Sequence, residues 1–252
     1  MSAFVTTGTV SPSITRTGRN EPFELQVARG QITFHSVVNV FGYQPLVSTG
    51  NYAVWENVAA YTFPSSAVVM TLQSSSASDT GVSVLINGLD ANYNMISETV
   101  TGVNGTTGTT TVNSYLRINS MFVTTTTATV GNITAKNGGT TYAQINAGVG
   151  KTQMAIYTVP AGYEFYLNRI DVFASNPYTS SNFLTFTNQQ SAGGVTLNIA
   201  QSPFVSILDV HRQYPLKYAA QTDIQFKVAT SAGTYAVGAF GEGVLVKIDG
   251  TL

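Results

Sequence analysis

The sequence predicts an all-β protein, two β-sandwich (jelly-roll-like) domains preceded by an extended N-terminal arm. Three observations carry that expectation. Only 9% of the 252 residues are charged, against about 25% in soluble proteins, while 35 Thr and 22 Ser stand in their place. A hydrophobic content of 43%, with 13 Tyr and 13 Phe spread along the chain, is too high for a disordered polymer. Short apolar runs recur between Gly, Pro, Asn and Ser turns, and no run keeps a helical period.

Residues 1–29 read as the arm. Gly8, Pro12, Gly18 and Pro22 punctuate it, and its composition disfavours a helix. Its sparse apolar residues, Phe4 and Phe23 among them, are expected to fill pockets on a partner, where Arg16 and Arg19 would meet acidic groups.

Residues 30–148 form the expected first sandwich. Gln31–Val38 alternates as a strand, Phe41–Pro45 reads as a turn, and Val68–Leu72 is a second strand. Val82–Ile86 and Met95–Val100 flank the polar loop Asp90–Asn94 and predict a hairpin. Leu116–Val123 and Gly131–Lys136 follow. Gly138-Gly139 and Ala147–Gly150 look like the seam.

Residues 149–252 form the expected second sandwich, with strands at Gln153–Val159, Glu164–Ala174, Phe183–Thr187, Val195–Ile199, Ile224–Val228 and Tyr235–Ile248. The last of these is mostly apolar and small, with Glu242 and Lys247 its only charges. Val244 and Val246 are therefore candidate contact residues for self-association, expected as a closed homo-oligomer and most plausibly a trimer.

Most chemistry is argued against. Gly148-Val149-Gly150-Lys151-Thr152 imitates the end of a phosphate-binding loop, but Ile145 occupies the required glycine position and a strand, not a helix, follows. Asp90 and Asn92 open like a calcium loop, yet Met95 and Thr101 stand where its glycine and glutamate belong. The turn preference of Asp and Asn explains the same residues. Ser206, Asp209 and His211 offer the pieces of a hydrolase triad, but triad members normally come from separate elements. Together with Arg212 they read better as a polar patch at a contact.

Two histidines and no cysteine leave no multi-histidine or thiolate metal site. Trp55, with Tyr52 and Tyr61 nearby, is either a sugar-stacking platform or a core anchor, and its apolar neighbours favour the anchor. Tyr178 beside Thr179 and Ser180 is the other candidate for sugar contact. No catalytic residue, cofactor or metal is expected. A net charge of −1 and a pI near 6.1 argue against nucleic acid, and no apolar run approaches the ~18 residues of a membrane helix. Met1–Val10 lacks the basic and apolar regions of a signal peptide.

The run Glu24–Ile32 followed by Val38–Tyr43 resembles structural proteins of tailed phages that infect marine and freshwater bacteria. So do Gly88–Thr101, Asn104–Thr107, Tyr115–Arg117 and Ile156–Gly162. The resemblance implies a non-enzymatic virion component assembled in the bacterial cytoplasm, in contact with other virion proteins such as the major capsid protein. An exterior decoration (cement) role is slightly favoured, with a tail fibre or collar protein that binds host carbohydrate as the alternative.

Overall fold

The computed structural model describes residues 21–50, 52–175, 182–190 and 196–248. The short helix α1 (Phe23–Ala28) is followed by β1 (His35–Val47), β2 (Tyr52–Ala53), β3 (Val68–Ser74), β4 (Thr80–Leu89), β5 (Met95–Asn104), β6 (Thr109–Tyr115), β7 (Arg117–Val123), β8 (Ile133–Asn137) and β9 (Thr140–Ile145). Then come β10 (Ile156–Thr158), β11 (Tyr163–Ala174), β12 (Asn182–Gln190), β13 (Thr196–Phe204), β14 (Ile207–Tyr218), β15 (Thr222–Thr230) and β16 (Tyr235–Lys247). All the strand pairings are antiparallel.

Among the described residues, four sheets form two sandwiches. One pairs the sheet β6-β3-β8-β9 with β5-β4-β7. Its core is built from alternate residues of both sheets, such as Met70, Leu72, Ile133 and Ile145 against Val84, Ile86, Val103 and Met121. The other pairs β1-β16-β11-β14 with β10-β15-β12-β13, and β2 joins β15. Its core includes Val40, Phe165, Leu167, Val172, Ala239 and Leu245 against Ile224, Phe226 and Val228.

The strand β1 corrects the expected linear division. It pairs along nearly its whole length with β16, from His35 opposite Val246 to Val47 opposite Tyr235. Its buried residues Val40 and Val47 belong to the later core. The sandwich of β3–β9 is therefore inserted between β2 and β10 of the other, rather than preceding it. Both crossing points sit on one strand, because β15 pairs with β10 at Asp223–Gln225 and with β2 at Lys227–Val228.

The expected turn Phe41–Pro45 also lies inside β1. Gly42 is there for close approach and not for a turn: a Cβ would stand 2.2 Å from the Val54 carbonyl oxygen. Gly138 instead supplies a left-handed turn (φ 57°) between β8 and β9. Residues 23–28 depart from the extended arm as well. Pro22 precedes the first helical residue, the Gln26 N–H donates to the Pro22 carbonyl at 3.1 Å, and Gly30 (φ 66°) follows the helix end. Phe4, Arg16 and Arg19 lie outside the described residues.

Candidate functional site

The Asp90 hairpin forms as expected, and its geometry accounts for the carboxylate. The amides of Asn92 and Asn94 donate to Asp90 Oδ1 at 2.8 and 2.9 Å, and Asn94 Nδ2 donates to Oδ2 at 3.1 Å. Desolvation is the largest single influence and raises the Asp90 pKa, but these three bonds together outweigh it and hold the carboxyl below its ordinary value. The carboxylate caps a turn, and no group of three potential metal ligands occurs among the described residues.

Asp79 does similar work inside the inserted sandwich. It is 4% exposed and accepts hydrogen bonds from Ser74 Oγ (2.5 Å) and the amides of Val130 and Gly131 (both 2.8 Å). Burial opposes ionisation there, and the three donors overcome it, so its pKa too lies below the ordinary value.

The joint between the sandwiches contains the most buried ion pair among the described residues. Arg117 of β7 donates through Nε and Nη2 to the two oxygens of Asp223 in β15, both at 2.7 Å. Thr158 Oγ1 donates to the same carboxylate at 2.6 Å, and Arg117 Nη1 donates to the carbonyls of Pro64 and Leu116. The guanidinium lies 4.6 Å from the Phe63 ring centroid. Paired, bonded on every side and covered, this arginine is a clasp between modules and not a ligand-binding group.

Another buried carboxylate is Glu56, 3% exposed, whose oxygens accept the amides of Asn146 (3.3 Å) and Gln153 (3.1 Å). Burial pushes its pKa up to about 7 against these two lowering bonds. Trp55 is 1% exposed, donates to the Ala59 carbonyl at 3.0 Å and meets Tyr61 edge-on at 4.9 Å. It plugs the inserted core, which removes it and Tyr61 as a sugar platform. Tyr52 is half-buried against the other core, and Tyr178 lies outside the described residues.

The phosphate-loop imitation resolves into a turn and a strand-like seam. The Gly148 and Val149 amides donate to the carbonyls of Thr129 and Asn146, and Lys151 bridges to Phe122 with its ammonium 5.1 Å from that ring. The amides are thereby used within the fold. Asp209 and His211 share one face of β14, as alternation requires, but Ser206 precedes that strand, and its carbonyl accepts the Ala174 amide. Asp209 instead faces Arg169 (3.9 Å) and the buried Asp171, whose pKa is raised first by burial and then by the neighbouring Asp209 carboxyl. The triad pieces are not assembled.

What the fold does bring together is the outer face of β1-β16-β11-β14. Side chains opposite one another across the strands form rows. One runs Tyr43, Gly238, Phe173, Ile207, and the next Phe41, Phe240, Asp171, Asp209. A polar row, Asn39, Glu242, Arg169, His211, separates these from Val37, Val244, Tyr166, Lys217. Val37, Phe41, Tyr43, Phe173 and Ile207 are all exposed.

Val244 and Val246 are two residues apart and so share this outer face, while Leu245 between them is buried. Phe23 is 48% exposed and meets His35 edge-on at 5.8 Å beside them. Three of the expected contact residues thus converge. Sequence reading missed Phe41, Phe173 and Tyr214 of the same region, because only the pairing of distant strands puts them together.

No family model and no curated protein matches the chain. Solved structures of infectious bursal disease virus are similar at 10% identity. The Gx strain structure covers 86% of this chain and 73% of its own with a TM-score of 0.26, and the VP2 subviral particle covers the same shares with 0.23. The Gt strain structure covers 90% and 78% with 0.21. Scores of this size assign neither fold nor function.

Proposed function

We propose that this chain is a non-enzymatic structural component of a tailed-phage virion, most simply an exterior decoration protein that contacts the major capsid protein. The observation that supports it best is the outer sheet face, where exposed aromatic and aliphatic residues (Val37, Phe41, Tyr43, Phe173 and Ile207) stand on either side of one polar row on a charge-poor protein. A patch of that kind marks an association surface. The clasp at Arg117–Asp223 holds two sandwiches as one block, which suits a subunit that bridges neighbours rather than a substrate cleft. The resemblance to phage structural proteins supplies the setting.

The tail or collar reading differs in copy number and in the expected carbohydrate binding, for which burial of Trp55 removes one nominated platform. Gold-labelled antibody against the chain, applied to purified particles of the phage that encodes it, tests the proposal. Label distributed over the head supports decoration, and label confined to the tail supports the alternative. Particles without label that also lack the chain by immunoblot refute both.

A further inference from the structure

We propose that the groove between β1 and β7 is a docking site for the chain's own N-terminal segment, with residues 4–10 added as a strand to the open edge of β1. The inference goes beyond the virion reading and does not depend on it.

Hydrogen bonding identifies the edge. The Lys247 amide donates to the Phe34 carbonyl at 2.8 Å, so even-numbered positions of β1 face β16. Odd-numbered positions face away, as the Tyr43 amide does in donating to the Gln153 carbonyl at 3.1 Å. The amides and carbonyls of Val37, Asn39 and Phe41 point the same way and meet no partner among the described residues. An edge of this kind, flanked by the exposed Val37 and Phe41 side chains, is a template for another strand. It opens into a cavity of about 310 Å³ whose far wall is Asn119, Ser120 and Phe122 of β7 with Lys151. Each sandwich thus supplies one wall.

The occupant follows from where the described chain begins. Twenty residues precede Glu21, which pairs with Arg29 at 2.6 Å at the start of α1. Phe23 opens that helix against His35, so the chain enters at the end of β1 where the open edge starts two residues later. Traced backwards from Glu21, a segment laid along the edge from Val37 to Phe41 runs antiparallel to β1, the sense in which β1 already pairs with β16. Residues 11–20 span about 33 Å when extended, ample for the approach. Composition agrees. Phe4-Val5-Thr6-Thr7-Gly8-Thr9-Val10 is rich in strand-favouring residues and has no proline to interrupt the ladder. It brings no charge into the groove, where Lys151 is the one charged lining residue. The tether holds this segment at an effective concentration of about millimolar, ahead of the same segment from a second copy. Seated there, it covers the edge and straps one sandwich to the other.

Hydrogen exchange at the Val37, Asn39 and Phe41 amides, read by NMR, tests the docking. In the full chain these amides are expected to exchange about tenfold more slowly than in a variant lacking residues 2–11, whose circular dichroism stays native. Equal rates overturn the inference. The chain has no cysteine, so a second measurement starts from a clean background. Thr7→Cys and Asn39→Cys are combined in one chain and joined with a short bismaleimide. A link within the monomer between positions 7 and 39, identified by mass spectrometry, is expected to an extent independent of protein concentration. The two single variants, mixed, are expected to give no such link. Linking between the mixed variants but not within the double variant puts the segment on a neighbour and overturns the inference, as does linking in neither. Labelling of particles reads none of this, so failure here leaves the virion proposal to its own test.

Discussion

Arg117 and Asp223 lie 106 residues apart in sequence yet form a bidentate pair whose side chains are almost fully covered. Removing one partner leaves a buried charge uncompensated. Arg117→Ala is expected to cost about 3–5 kcal/mol in denaturant unfolding, and Arg117→Met combined with Asp223→Leu to cost less than that single change. Glu56 makes a second residue-scale prediction. Its folded pKa of about 7 exceeds the ordinary 4.5, so the native state binds the extra proton. Stability from this group is full below pH 4.5, falls by roughly 2–3 kcal/mol as pH rises towards 7, and is flat beyond. Thermal melts of Glu56→Gln should lack that slope. Asp79 and Asp90 have lowered values and act oppositely in a separate acid window, losing their contribution as pH drops below the ordinary carboxylate range. None of the Arg117, Asp223 and Glu56 roles was legible in the sequence, because each partner is brought from a distant segment. The Asp90 turn was legible, since its donors lie within four residues.

Among the elements, local pattern located the strands better than it located their ends. The hairpin β4–β5 follows directly from alternation on either side of Asp90–Asn94. Local pattern alone ends β1 early, because Gly42 and Pro45 resemble turn residues. The structure uses Gly42 for backbone approach, and the β1–β16 register shifts between Gln44 and Val47. Gly42→Ala is therefore expected to destabilise the fold measurably, by about 1–3 kcal/mol, through overpacking against Val54 and Ala155. The strand β16 supplies a sharper contrast. Leu245→Lys should unfold the framework sandwich, because that side chain is 4% exposed in its core. Val244→Lys should keep a native circular dichroism spectrum while losing self-association. Equal unfolding by both would contradict the assignment of Val244 to the outer face.

At the scale of the whole molecule, the all-β class and the sandwich architecture were readable from threonine, valine and aromatic enrichment. The insertion of one sandwich into the other was not, since alternation specifies a strand and a buried face but not its partner. His35 pairs with Val246 across almost the full length of the chain. That closure places Phe23, Val244 and Val246 together and creates the face on which the functional reading depends. Both crossings between the sandwiches and the Arg117 clasp meet on β15, so the two should act as one rigid unit in an assembly. Quantitative mass spectrometry of purified particles, with the major capsid protein as internal standard, tests the central claim most directly. The account predicts that the chain is present at hundreds of copies per particle. Its absence from purified particles would contradict the claim altogether, and a few dozen copies would contradict the decoration role in favour of the tail.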